Sequence, residues 1–319
     1  MKIKYAVITS FLGGMRNRFM EYQPHRSLEE KIELAGQIEG LDGVEVSWPA
    51  DCEDVGRLKR LLDSAGLEVS AVSLKLRGGP EWFRGSLTSP DPKIRRRAVE
   101  WCKEAKLAAE ALGCSLVTTC PLNDGYDYLF EQDYWKAWHW MVETLQEAVE
   151  FRPDIKLSLE YKFADPRVRC FLGTAAEALA ACQAVGSDAI GVTLDVGHAL
   201  QARENPAKSL SILQAHGRLF CIHTNDNDGT ADWDMLPGSM NLWNQVEFFY
   251  YLRRFEFNGW LTADVIPREH DVVETFETTI LAQKKLIALA ERIDQEEMDA
   301  MLHERDPIKA NRYLLSLLG

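Results

Sequence analysis

The sequence predicts an α/β fold, a (β/α)8 TIM barrel with a C-terminal helical extension. Three observations predict it. Short runs rich in β-branched and aliphatic residues recur along the whole chain. Each is followed by a segment whose apolar residues keep helical spacing, the pattern of strand–helix units around a parallel sheet. The first run is not followed by a GxGxxG fingerprint, which a doubly wound open sheet, the second choice, would more often carry.

The strands are expected at 3–9, 43–47, 67–73, 115–119, 155–161, 190–195, 218–224 and 260–265. The first begins in MKIKYAVITS, which lacks the apolar core and small-residue cleavage site of a secretory signal. Helices at 27–38 and 53–65 follow the first two strands. The next two helices show as spacing: Trp101, Ala105, Ala108 and Leu112, then Trp138, Val142, Leu145 and Val149, each at i, i+4, i+7 and i+11. A helix at 174–185 starts on Thr174 as N-cap, with Glu177 completing a capping box. Helices at 204–215, 241–254 and 272–291 complete the set. Gly40, Gly66, Gly113 and Gly186 each stand where a helix should stop. The barrel takes residues 1–292. Residues 293–319 form a helical tail whose Leu314, Leu315, Leu317 and Leu318 are surplus to a closed barrel, and the tail is expected to pack on the barrel or on a neighbouring subunit.

The composition removes several functions. The net charge is −13, and the one basic run, Lys93 with Arg95, Arg96 and Arg97, reads as a solvated helix face, so no nucleic-acid partner is expected. No apolar run is long enough to span a membrane, and none is expected to engage one. Seven scattered cysteines without a CxxC pair suit buried thiols in a reducing cytoplasm.

Strand parity turns this fold into a site. Along a barrel strand alternate residues face the helices and the interior. In 155–161 the apolar Ile155, Leu157, Leu159 and Tyr161 take the helix side, which leaves Glu160 and Lys162 facing inward. The same reading turns Asp195, His223 and Asp264 inward from the last three strands, and Glu45 from the second. Each lies at the C-terminal end of its strand, the face where barrel enzymes build their active sites. Three carboxylates gathered in a dry interior must be protonated or neutralised by a cation. Glu160, Asp195, His223 and Asp264 form an oxygen-rich set suited to Mn²⁺ first, or to Mg²⁺ or Co²⁺. His198, three residues past Asp195 across Gly197 in an expected tight turn, joins Asp232 and Asp234 of DWDML as candidate ligands of a second ion that shares Asp195. Asp226 and Asp228 are alternatives. Lys162 would stay cationic among these anions and donate to a polarised substrate oxygen.

At these residues the chain resembles the xylose isomerase-like TIM-barrel superfamily, and most closely its xylose and L-rhamnose isomerases. The resemblance is carried by E-x-K at Glu160 and Lys162, D-x-x-H at Asp195 and His198, the histidine at 223, D-x-D at Asp232 and Asp234, and the last-strand Asp264. It implies one or two divalent ions per subunit, held by Glu160, Asp195, His198, His223, Asp232, Asp234 and Asp264. It implies catalytic roles for Lys162, Glu160, Asp234 and His198, and substrate contacts drawn from Trp48, Glu45, His25 and Trp82 and the 85–92 loop GSLTSPDP. The activity implied is aldose–ketose isomerisation of a small, unphosphorylated sugar, by hydride shift or by enediol proton transfer between C1 and C2, in a homodimer or homotetramer. The alternatives are a ketose 3-epimerase of the same superfamily and a non-catalytic, metal-stabilised sugar-binding barrel. The epimerases use two glutamates, and here the last-strand carboxylate is the shorter Asp264.

Overall fold

A computed structural model describes residues 1–17, 19–165 and 168–318. Strands β1 (Ile3–Ile8), β2 (Gly43–Trp48), β3 (Glu68–Leu74), β4 (Leu116–Thr119), β5 (Lys156–Glu160), β6 (Ile190–Asp195), β7 (Leu219–Thr224) and β8 (Gly259–Ala263) pair in parallel, each with its sequence neighbours. β1 closes the ring by pairing with both β2 and β8, Val7 standing opposite Ala263. Helices α1 (Leu28–Gln37), α2 (Val55–Ala65), α3 (Pro92–Ala111), α4 (Tyr134–Glu150), α5 (Ala175–Val185), α6 (Val196–Gln201), α7 (Pro206–Ala215), α8 (Leu242–Arg254) and α9 (Val272–Glu291) follow. The eight expected strands lie within two residues of their expected bounds.

The parity reading accounts for where the core sits. Val44, Val46, Val72, Leu74, Leu157, Leu159, Ile190, Val192 and Leu194 are buried between sheet and helices. The barrel interior is polar instead: Ser158 Oγ lies 2.7 Å from Thr193 Oγ1, and Thr118 Oγ1 donates to Glu45 at 2.6 Å. Lower down, Phe220 and Trp260 fill the space left by Gly191 and Gly43, and the charged groups above rest on hydrogen-bonded hydroxyls.

Helix ends follow local chemistry. Gly66 and Gly186 cap α2 and α5 in the left-handed region, at φ 70° and 73°, where a β-carbon would be strained. Thr174 accepts from the Glu177 amide at 3.2 Å as expected. The Glu177 carboxylate, however, accepts from the Gly173 amide at 2.7 Å, one residue earlier than a capping box requires. The tail is two helices, α10 (Gln295–Glu304) and α11 (Pro307–Ser316), broken at Arg305 in the left-handed region and restarted by the Asp306 cap and Pro307. It docks on its own chain. Arg254 of α8 ion-pairs with Asp299, and the Arg253 guanidinium donates to the carbonyls of Ala290, Glu291 and Ile293 at 2.9, 3.1 and 2.8 Å. Leu314 and Leu317 pack against the core, while Leu315 and Leu318 stay exposed. No helix among the described residues is long and apolar enough to cross a membrane. All seven cysteines are free thiols.

Candidate active site

Four adjacent strands deliver a carboxylate or an imidazole each to the C-terminal mouth of the barrel. Ligand atoms of Glu160 (β5), Asp195 (β6), His223 (β7) and Asp264, just past β8, all lie within 4.8 Å of one another. His223 Nδ1 is 3.3 Å from Glu160 Oε1 and 3.4 Å from Asp264 Oδ2. Asp195, His198 and Asp232 form a second group within the same distance, so Asp195 belongs to both. His198 Nδ1 is 3.3 Å from Glu160 Oε1, and its Nε2 is 3.1 Å from Asp232 Oδ2.

These spacings fit a divalent cation. Ligand atoms ~2.1 Å from one octahedral ion stand ~3.0 Å apart when adjacent, close to the separations here. Two buried atoms also lack hydrogen-bond partners, His198 Nδ1 and Asp232 Oδ1. A buried nitrogen that faces a carboxylate at 3.3 Å without a hydrogen bond fits a cation held by both, or in its absence a protonated ring. Imidazole with carboxylates is a donor set for Mn²⁺, Mg²⁺, Co²⁺ or Zn²⁺.

Without a cation, protons take its place. Burial opposes the charged imidazole at His223, but Glu45 and Glu160 outweigh it and hold the ring well above the usual histidine range. At His198 burial is again overcome, by Asp195 and Asp232, and the value rises to about 10. Glu160 falls to about 2 despite its burial, because His223 and His198 face it. Burial raises Asp195 to about 7, with Asp264, Asp232 and Glu160 adding to it against His198. Metal must therefore displace protons from His198 and Asp195, and affinity must rise with pH. We expect Mn²⁺ affinity to increase by about 10-fold or more from pH 6 to pH 8, with net proton release. Calorimetric titration in buffers of different ionisation enthalpy measures both.

The Lys162 ammonium lies 2.8 Å from Asp232 and 3.0 Å from Asp165. Burial opposes its charge, but these two carboxylates keep it protonated, above the usual lysine range. Asp234 is half-buried and feels the charge of the same group. Burial, then Asp232 and Asp264, push its carboxyl well above the usual carboxylate range. Its backbone is left-handed at φ 48°, a strained setting for a residue with a side chain, fixed by the Ile266 amide donating to its carbonyl at 3.0 Å. Asp234 is not part of either ligand cluster and is bonded through Asn225 Nδ2 at 3.3 Å.

Other candidates lie elsewhere. Glu45 is fully buried beneath the site, its Oε2 3.0 Å from His223 Nε2, so it orients the imidazole rather than touching a substrate. Glu45→Gln is expected to weaken Mn²⁺ binding ~10–100-fold, the usual cost of losing a ligand's outer partner, measured by the same titration. Trp48 and Trp82 are buried and stack edge-on against Trp101, at 4.9 and 5.1 Å, as core. In the 85–92 loop, Ser86 and Thr88 are buried, their amides donating to Asp124 at 3.0 and 2.6 Å; this part of the loop is tied inward. His25 is exposed on the loop before α1. Asp226 accepts from the Met240 and Asn241 amides at 2.9 Å, and exposed Asp228 bonds Thr230 and Trp233; both shape the loop. Gly197 sits in helix α6, not in a tight turn. Its use is close approach: an added β-carbon would meet Asn225 Oδ1 at 2.6 Å, where the Gly197 amide now donates.

Three groups were not anticipated. Asn225, next after β7, donates to Asp195 at 3.1 Å and fixes that shared carboxylate. Lys75 and Arg77, beyond the end of β3, are cations at the barrel mouth, and Lys75 lies in the field of Glu45, Glu160 and Asp264. A cleft of about 910 Å³ opens beside Asp232 and Asp234, bounded by Met15, Tyr22, Arg268 and His270.

Comparison with known proteins agrees with this fold. Residues 32–283 match the family described as xylose isomerase-like TIM barrel. The xylose isomerase of Thermus thermophilus is 28% identical over 194 residues, which cover 59% of this chain and 50% of the relative. The L-ribulose 3-epimerase of Mesorhizobium japonicum is 28% identical over 190 residues, 59% of this chain and 61% of that one. The chain thus spans about half the length of the first of these relatives. Among solved structures, the 3-keto-D-glucoside 4-epimerase of E. coli superposes with a TM-score of 0.68 at 16% identity, covering 89% of this chain and all of the other, a likeness of fold.

Proposed function

The chain belongs to the xylose isomerase-like TIM barrel family, and from that premise we propose that it is a metal-dependent aldose–ketose isomerase acting on a small open-chain sugar. The observation that carries the reading is the second cluster, Asp195, His198 and Asp232, with the Lys162 ammonium 2.8 Å from Asp232. A C1–C2 isomerase needs a cationic donor beside the carbonyl oxygen and a proton acceptor beside the neighbouring hydroxyl, and this corner of the site offers both.

Glu160, Asp195, His223 and Asp264 would hold one divalent ion, and Asp195, His198 and Asp232, with Asp234 adjoining, a second; when bound, these ions supply positive charge that polarises substrate oxygens. Lys162 donates to the carbonyl oxygen and stabilises the negative charge that grows there. Asp234, its raised carboxyl brought back into the ionised form by the cation charge beside it, would accept the proton leaving the C2 hydroxyl. The C2 hydrogen moves to C1 with its electron pair, and the C1 oxygen takes up a proton from Lys162. In the enediol route the C2 hydrogen leaves as a proton to a site carboxylate and returns to C1. Asn225 and Glu45 keep Asp195 and His223 in place throughout.

C3 epimerisation is the second reading. Glu160 Oε1 and Asp264 Oδ2 flank one nitrogen of His223 at 3.3 and 3.4 Å, as two carboxylates on either side of a sugar carbon would. The L-ribulose 3-epimerase relative supports it as well. Seven free thiols suit a cytoplasmic enzyme, and the exposed Tyr128, Leu129, Phe130 and Trp135 suit a homo-oligomer.

One experiment separates these readings. Mn²⁺-loaded protein is incubated with pentoses and hexoses in D₂O, stripped of metal, and the products are read by NMR. Aldose formed from ketose upholds the isomerase, without deuterium for hydride shift or with deuterium for the enediol. An epimeric ketose deuterated at C3 replaces it with the epimerase. Metal binding with no turnover leaves a sugar-binding barrel.

A further inference from the structure

The third strand carries charges that the proposed reaction leaves without a role. The chain stays paired past Leu74, the Lys75 amide donating to the Trp48 carbonyl at 3.1 Å. In the β2–β3 register Glu45 stands opposite Ala71, and Ser47 opposite Ser73. Residues paired in register share a face. Ala71, Ser73 and Lys75 therefore face the interior with Glu45, and Arg77 falls next in the same alternation. Val72, Leu74 and Leu76 between them are buried on the helix side.

The electrostatic neighbours agree with this placement. Lys75 feels Arg77 and, with opposite sign, Glu45, Glu160 and Asp264. Arg77 also acts on Cys120 at the end of β4, which in turn feels Glu160 and Lys162. Both residues are half-buried. Burial first, then Arg77, depress the Lys75 amine below the usual lysine range. Among the described residues neither cation makes an ion pair or a side-chain hydrogen bond, on a chain with 49 acidic residues to 36 basic ones. Of the offsetting carboxylates, Glu45 is already engaged by His223 and Thr118, and Glu160 and Asp264 belong to the candidate metal cluster. Two adjacent cations at a substrate mouth with no partner of their own are arranged for an anion.

Resting on the sugar-isomerase reading, we propose that Lys75 and Arg77 form an anion subsite that grips a substrate carboxylate, so that this enzyme prefers sugar acids to neutral sugars. A guanidinium fork matches a planar carboxylate two-pronged, and the lysine adds a point charge. The next element, a short turn at Pro80–Trp82, has no amide hydrogen at Pro80 and gives its Trp82 amide to the Gly79 carbonyl at 3.2 Å, so it offers no row of free amides of the kind that cradles a phosphate. The sugar's carbonyl end would lie at the metal clusters and its carboxylate end at β3.

The test uses the full chain loaded with Mn²⁺ and three matched sets: glucuronate and galacturonate, glucose and galactose, and the two hexose 6-phosphates. kcat/KM is measured for each, and Kd separately by calorimetry. The acids are expected to exceed the neutral sugars by about 10-fold or more, and Arg77→Met and Lys75→Met are each expected to cut that ratio by about 10-fold. Arg77→Lys should restore part of it, which a merely structural role would not require. Equal treatment of acids and neutral sugars, a preference for the phosphates, or a ratio unmoved in both variants overturns the subsite. If no sugar of any kind is turned over, the isomerase reading fails by itself. The subsite then stands or falls on calorimetry: tighter binding of the acids that is lost in Arg77→Met upholds it, and no difference overturns it.

Discussion

Replacing Glu160 with glutamine should lower kcat/KM by about 1000-fold or more and abolish tight Mn²⁺ binding, the largest effect expected of any single change. Glu160 Oε1 is the one atom 3.3 Å from both His223 Nδ1 and His198 Nδ1, so it joins the two clusters. Glutamine keeps the volume and removes the charge. Its amide would turn either an N–H₂ or a neutral oxygen toward the position proposed for a cation. The packing beneath, Ser158 on Thr193, is untouched, so the circular dichroism spectrum should not change. In the metal-free protein the same change should release His198 and His223 toward the ordinary histidine range, because Glu160 helps to hold each ring protonated. Metal content by mass spectrometry, steady-state kinetics and NMR titration of the two rings measure the three effects. Activity within about 3-fold of the parent protein would remove Glu160 from the site altogether.

Lys162→Met should lower kcat by about 100- to 1000-fold while metal stays bound, the cost of losing one preorganised donor to developing charge. Methionine keeps the length of the apolar stem. The lysine is not in either ligand cluster; it touches Asp232 through that carboxylate's Oδ2, and Asp232 keeps His198 Nε2 at 3.1 Å. A structural lysine would show itself differently, by a lower melting temperature and loss of metal with kcat little changed. Substrate binding without chemistry should survive the substitution, so KM should move far less than kcat. A variant with kcat intact would mean that Lys162 serves only to tie Asp165 and the loop after β5 to Asp232.

Most of the barrel was legible because its signal is local. A parallel strand covered by helices must keep one face apolar, and the polar residues left over, Glu160, Asp195, His223 and Asp264, have only the interior to go to. The first ligand cluster follows from that parity alone; His198 and Asp232 of the second were legible from the D-x-x-H and D-x-D spacings. What escaped lay just beyond the pattern. Lys75 and Arg77 obey the same alternation as Ser73, but Leu74–Lys75–Leu76–Arg77 reads as the start of a loop, and only the Lys75–Trp48 backbone bond extends the strand. Helix α6 was missed because six residues with a glycine carry too few turns to show a period. Its start is the Asp195 side chain accepting from the His198 amide at 2.7 Å, a cap hidden inside a ligand motif. Trp48 and Trp82 illustrate the opposite error. An aromatic after a strand fits a sugar platform and a core ring equally well, and their contact with Trp101 is visible only in three dimensions. The role of Asn225 likewise depends on β6 and β7 standing side by side.

The central claim is that side chains from the last four strands share divalent cations, with Asp195 common to both clusters. Anomalous diffraction at the manganese edge from Mn²⁺-grown crystals tests it most directly. The account predicts a peak bonded by Glu160, Asp195, His223 and Asp264, and a second, at high Mn²⁺, bonded by Asp195, His198 and Asp232. A peak that lies away from Asp195, or is held by only one of these residues, would contradict it.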